Sequence, residues 1–307
     1  MLNYIKCALL FPLLLAMMSS CEKKICITEE ESTKLNVELG VKSASDPIDV
    51  SLYVYGGDGR LVSEAAGVGS KQFSLRKHSS YDLIALSGIE YDRSGIASKS
   101  YFDTLTISLN EDMTSESDIP RIAKARVNLD EGPSLVSLNL SSIVSRIIFN
   151  RVDNNLDAAF GTLKLMSVYL SNVPSKYSIE EALTFDNHWI NYKGRLDSYS
   201  DILYKNINRQ VPQGSSYSPG FNFYSFPSYN GSTNPLRLVL VTQIGENIYY
   251  YPVTLNSLES NTSYQVNVNI KNLGSSHPDL PLDCAEIVIS PGLGEWKNSN
   301  TISVNFN

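Results

Sequence analysis

Tyr264-Gln265-Val266-Asn267-Val268-Asn269-Ile270 alternates apolar and polar residues without a break, and Ile302-Ser303-Val304-Asn305-Phe306-Asn307 does so again. Successive side chains on a β-strand point to opposite faces, so strict alternation describes a strand with one face on a core and the other in water. The same period runs through Leu105, Ile107 and Leu109, through Val136, Leu138 and Leu140, and through Leu163 to Leu170. Leu236 to Val241 is a nearly continuous apolar run, as expected of a more buried strand. Ser51-Leu52-Tyr53-Val54-Tyr55 leads into Gly56-Gly57-Asp58-Gly59 and then Leu61-Val62, and the Asp-Gly pair takes positive φ easily, which predicts a β-hairpin. Gly245-Glu246-Asn247 turns the 236–241 strand into Ile248-Tyr249-Tyr250-Tyr251. Helical periodicity is scarce; Ile179 to Leu183 is long enough for a turn or two. The chain reads as all-β.

Its 307 residues suffice for two ordinary domains, each with its own core. The polar patch Asp153-Asn154-Asn155 separates two series of strands and sets the expected boundary. Arg146 to Phe149 is expected to neighbour the strand around Leu138, before that boundary. Residues 205–235, rich in Ser, Asn, Gly and Pro, are expected to be long loops around one short strand at Phe221–Phe226. The reading is therefore two consecutive β-sandwiches, over residues 34–153 and 154–307.

Ahead of the strands, Lys6 precedes an uncharged run from Ala8 to Met18 that ends in Ser19-Ser20-Cys21. The run is short for a membrane span, and its small-residue end fits processing. Residues 1–20 resemble a bacterial lipoprotein signal, which implies that Cys21 is acylated and becomes the first residue of the mature chain. One acyl chain holds a protein only marginally and several hold it durably, so such a protein works tethered to a membrane by its N-terminus, and the lipoprotein resemblance implies the outer membrane. An ordinary secretory signal with an incidental Cys21, or a short membrane helix, are the other readings of the same residues. Residues 21–33, with Glu29-Glu30-Glu31, read as a solvated tether.

The 25 basic and 32 acidic residues include no basic tract, which argues against nucleic acid as a partner. Of four cysteines, Cys7 lies in the signal and Cys21 is the acylation site, leaving Cys26 and Cys284. An oxidising compartment permits a disulfide between them, and two isolated cysteines are no zinc set. His78, His188 and His277 are far apart, and neither HExxH, Gly-x-Ser-x-Gly nor a Walker loop is present. Asp130-Glu131 and Glu111-Asp112 are adjacent pairs, which on a strand point to opposite faces. No catalytic residue, metal or cofactor is implied. Eighteen tyrosines, concentrated at Tyr249-Tyr250-Tyr251 and over 221–229, allow a glycan-binding reading through residues such as Tyr224 and Tyr250; tyrosine is also simply a favoured strand residue. Asp103-Thr104-Leu105 resembles an acceptor motif for O-linked glycans in the Bacteroides group.

Taken together, the chain resembles the FimB/Mfa2 group of fimbrial anchor lipoproteins of the Bacteroidales, relatives of the fimbrillins. The resemblance rests on Cys21 with Cys26, the strand and Asp-Gly turn from Leu52 to Leu61, and the Ser134–Phe149 strands. It extends to the tyrosine-rich hairpin, the Tyr264 strand, and Trp296 followed by Ile302–Phe306. It implies two tandem transthyretin-like β-sandwich domains and a place at the base, or as an accessory part, of a surface fimbria, with a fimbrial shaft subunit as partner. In that system an arginine-specific protease removes a subunit's first strand, and a neighbour's strand fills the groove by β-strand addition. The first arginine here is Arg60, inside the predicted hairpin, so no such site precedes the first strand. Ile302, Val304 and Phe306 share one face of the last strand, which is expected either to be donated to the shaft subunit or to close its own sandwich. A surface glycan-binding lipoprotein of a polysaccharide-uptake system is the alternative function.

Overall fold

A computed structural model describes residues 31–41, 48–109, 116–180, 188–228, 232–280, 284–291 and 298–306. The first sandwich contains β1 (Ser32–Val41), β2 (Val50–Gly56), β3 (Leu61–Gly67), β4 (Lys71–Arg76) and β5 (Ser79–Ser87). After a short β6 (Thr106–Ser108) it is completed by β7 (Arg121–Leu129) and β8 (Ser134–Ser142). The order is β3-β2-β5-β7-β8-β1-β4, but β7 and β8 meet only where Arg121 and Ile122 face Ser142 and Ser141. The sheet folds over at that junction, and its two layers enclose Leu35, Val37, Leu52, Val54, Phe73, Leu83 and Leu138.

β2 explains its own composition. Leu52 and Val54 face this core, whereas Tyr53 and Tyr55 point to the other side, beneath Phe102 and Leu105 of the crossing segment that follows β5. The Tyr53 ring lies 5.3 Å from that of Phe102, and the Tyr55 hydroxyl donates to the Ile96 carbonyl at 2.8 Å. Both faces of β2 are buried, so its alternation is lost. At the entry to the crossing segment, Gly88 has φ +63°, and a Cβ there would lie 2.4 Å from the Ile119 carbonyl oxygen; only glycine fits.

The second sandwich begins with β9 (Ser145–Asn154) and β10 (Leu163–Ser171), followed by the short β11 (Val173–Pro174), β12 (Lys176–Ser178) and β13 (Trp189–Ile190). It continues through β14 (Tyr204–Val211), β15 (Ser216–Tyr217), β16 (Phe221–Ser225), β17 (Arg237–Ile244), β18 (Asn247–Thr254) and β19 (Thr262–Ile270). β20 (Cys284–Pro291) and β21 (Asn298–Phe306) end it. One sheet runs β14-β10-β17-β18; the other runs β15-β9-β19-β21-β20, with β16 also on β9. Leu165, Leu238 and Tyr251 from the first pack against Phe149, Phe223, Val266 and Phe306 from the second.

Three segments differ from their expected placement. β9 does not lie beside β8: it pairs with β16 and, in parallel, with β19, and its Ile147, Phe149 and Val152 enter the second core. The chain changes sandwich between Ser142 and Ser145, pulled over by the buried Ile143 and Val144, whereas the sequence boundary near residue 153 falls at the end of β9. Residues 204–211 are a strand rather than a loop. They form an edge with one neighbour, so polar side chains are tolerated, and Asn208 (φ +51°) bulges where Met166 has no partner. Ile179 and Glu180 form a turn after β12, and the rest of the expected helical stretch lies outside the described residues. β6 pairs antiparallel with β12 and so links the two halves of the chain.

The buried tyrosines set a pH dependence. Burial pushes the hydroxyls of Tyr53, Tyr55, Tyr169 and Tyr251 well above their ordinary range. An unfolded tyrosine ionises at about pH 10 while these stay protonated in the fold, so above that pH unfolding releases protons and stability falls. Thermal melts should be flat between about pH 7 and 9 and should drop steeply above about pH 10.

Candidate assembly site

β1 is the strand on which assembly by strand exchange would turn. It is the middle strand of its layer, antiparallel to β4 from Ser32–Arg76 to Val37–Lys71 and parallel to β8 from Leu35–Ser134 to Val41–Leu140. Leu35 and Val37 are fully buried, while Lys34 and Glu38 are exposed on the other face. Thr33 anchors the strand's start by donating its hydroxyl to the Gly132 carbonyl at 2.8 Å, and the Lys77 amide donates to the Glu31 carbonyl at 2.9 Å. Withdrawing β1 would open a groove between β4 and β8 lined by backbone donors and acceptors.

Arg60 sits in the β2–β3 hairpin. Gly59 (φ +76°) makes the turn, the Gly56 amide donates to the Arg60 carbonyl at 2.9 Å, and the Arg60 amide donates to Asp58 Oδ1 at 3.1 Å. The guanidinium itself is solvent-exposed. A cut there would fall after β2, not between β1 and the rest of the fold.

β21 is paired on both sides, in parallel with β19 and antiparallel with β20. Val304 and Phe306 are buried in the second core, where the Phe306 ring meets Tyr251 edge-on at 5.1 Å. In this structure the strand closes its own sheet, and Ile302 occupies the register position opposite Val266. Cys21 and Cys26 lie outside the described residues, and Cys284 opens β20. Among the described residues, no three His, Cys, Asp or Glu side chains converge as a metal-binding group. His78 occupies the β4–β5 turn at φ +52°, and His277 accepts the Asp279 amide through Nδ1.

The tyrosines singled out for glycans are placed differently from that expectation. Tyr224 and Tyr251 are core residues, and Tyr250 is half-buried, its backbone bridged to Ser275. Rings packed in a core cannot stack on a sugar. Thr104, of the acceptor-like triplet, is exposed and donates its hydroxyl to the Tyr101 carbonyl at 3.1 Å. Sequence reasoning passed over the exposed Tyr192 and Tyr199, which lie in a loop rather than in a tyrosine run.

No family model matches the chain, and no curated protein matches it in sequence. Solved structures do match in fold. A candidate cell adhesion protein from Bacteroides eggerthii is 15% identical, with 91% of this chain and 99% of that one covered at a TM-score of 0.63. A fimbrilin from Porphyromonas gingivalis is 15% identical, with 90% and 98% covered at 0.59. The tip fimbrial protein Mfa3 of the same species, truncated at its C-terminus, is 14% identical, with 77% and 94% covered at 0.50. The chain has the two-sandwich fold of fimbrilins and related adhesion proteins of the Bacteroidales.

Proposed function

We propose that this chain is a structural component of a surface fimbria, held to the outer membrane by lipid on Cys21, with a fimbrial shaft subunit as its partner. The observation that carries the reading is β1. It fills its own groove, and the chain's first arginine, Arg60, lies beyond β2. Cleavage at Arg60 would sever the anchor together with two strands. A lipid-held subunit therefore keeps β1, leaves no groove open for a neighbour's strand, and belongs at an end of the filament as an anchor or accessory subunit. The fimbrilin and tip-protein structures share the fold across most of this chain, which supports the fimbrial part of the assignment. The tether is then residues 21–31, since β1 starts at Ser32.

Cys21→Ala tests the reading in the native bacterium. Immunogold label is expected at filament bases in the wild type, and filaments carrying the protein are expected in the medium of the variant. Label spread over the cell surface without filaments would overturn the assignment.

A further inference from the structure

The loop from Asn191 to Tyr199 is built for display. Asn172, Asn191 and Lys193 all have positive φ (57°, 53° and 51°), as does Gly194 (78°). Left-handed backbone is unfavourable for side chains other than glycine, and lysine has none of the local compensation that asparagine finds. Buried polar contacts hold the conformation. Asn191 donates through Nδ2 to the Leu170 carbonyl at 2.9 Å and accepts the Asp197 and Ser198 amides on Oδ1, each at 2.9 Å. The Lys193 amide donates to Asn172 Oδ1 at 2.8 Å, and the Gly194 carbonyl accepts the Tyr169 hydroxyl at 2.6 Å. Pro278 leaves no room for a side chain at Gly194, and its strand-connecting segment is pinned by the Arg237–Asp279 ion pair.

Asn191, Gly194 and Ser198 are buried, while Tyr192, Lys193, Arg195, Asp197 and Tyr199 are turned out to water. Tyr199 is 66% exposed, more than any other exposed large apolar side chain among the described residues, and meets Tyr204 edge-on at 5.0 Å. Lys193 Nζ lies 5.3 Å above the Tyr192 ring and makes no ion pair with a described residue; Arg195 pairs with Asp197 at 3.2 Å. Two exposed rings with hydroxyl tips and two cations thus share one loop, with Lys193 against Tyr192, on a backbone that has little freedom left to lose on binding.

We propose that this loop binds a carboxylate-bearing polysaccharide, with sugar rings against Tyr192 and Tyr199 and uronate groups at Lys193 and Arg195. A tyrosine offers an apolar ring and a polar tip, which complement the apolar face and hydroxyl rim of a sugar. The lysine supplies a point charge and the arginine a planar fork of donors for carboxylate. A stable protein interface takes roughly 20–30 residues a side, far more than these displayed side chains, which suit a few sugar rings. With a net charge of −7 the chain as a whole repels polyanions, so retention on one must come from a local site.

Affinity electrophoresis of the purified full chain through gels containing polygalacturonate, alginate or hyaluronan tests this, independently of any filament and hence of the fimbrial assignment. At least one of these acidic polymers is expected to retard the chain at least twofold, while dextran leaves it unretarded. Tyr199→Ala and Lys193→Gln, both at exposed side chains, are each expected to raise the apparent Kd tenfold or more with unchanged melting curves. Passage unretarded through all three acidic gels, equal retardation in dextran, or retardation that survives both substitutions would overturn the proposal. So would variants that bind no glycan differently yet fail to enter filaments, since the loop would then be a protein contact.

Discussion

Deleting residues 300–307 is expected to unfold the second sandwich rather than leave a folded monomer with a vacant groove. β21 runs between β19 and β20, so its removal strips the ladder from both neighbours at once. Val304 and Phe306 leave the core with it, and Tyr251 loses its aromatic partner. Burying each such side chain is worth about 1.5–3 kcal/mol, and Phe306→Ala alone should cost about 3–5 kcal/mol. Total stability of an ordinary domain is about 5–15 kcal/mol, so the truncation removes most of it before the lost backbone pairing is counted. Circular dichroism through a thermal ramp measures this. A truncated chain that still melts cooperatively within a few degrees of the intact one would show that β21 is dispensable and free for donation.

Val37→Asp should be as damaging in the first sandwich. Val37 is fully buried on β1, level with Lys71 of β4 and Val136 of β8. A carboxylate in that core either ionises without a partner or takes up a proton, and both cost several kcal/mol. Lys34→Ala, on the exposed face of the same strand, should change stability by no more than about 0.5 kcal/mol. Urea titrations of the pair isolate the buried face of β1 from the strand as a whole. Equal midpoints for the two variants would mean that β1 does not fill the groove.

Where one face of a strand is wet, the alternation could be read directly, as in β19 and β21 with Val266, Val268, Val304 and Phe306 inward. β14 escaped notice because an edge strand needs few apolar residues, and Lys205, Asn206, Asn208 and Gln210 carry none of the usual strand signal. The partnership of β9 was illegible for another reason. Ser145–Asn154 has a clear inward face, but nothing in a period of two says which of two cores receives it. The aromatic residues misled through their density: of the tyrosines clustered in sequence, Tyr224 and Tyr251 are core strand residues and Tyr249 and Tyr250 are half-buried, whereas the exposed Tyr192 and Tyr199 lie in a loop whose left-handed backbone is held in part by Asn172 and Asn191, residues brought there by distant pairing.

The parallel pairing of β1 with β8 has a kinetic consequence. The layer of β1 cannot be completed until Ser134–Leu140 has been made, although β2, β3, β5 and β7 can pair with one another before then. Contacts so distant along the chain slow folding, because loop closure is costly before any of them forms. Until then β4 can cover one edge of β1 while the other edge, carrying Leu35, Val37 and Leu39, stays unpaired, the kind of edge that aggregates or invites a foreign strand. Keeping the open edge of β1 covered until β8 arrives is what this topology demands of the folding chain.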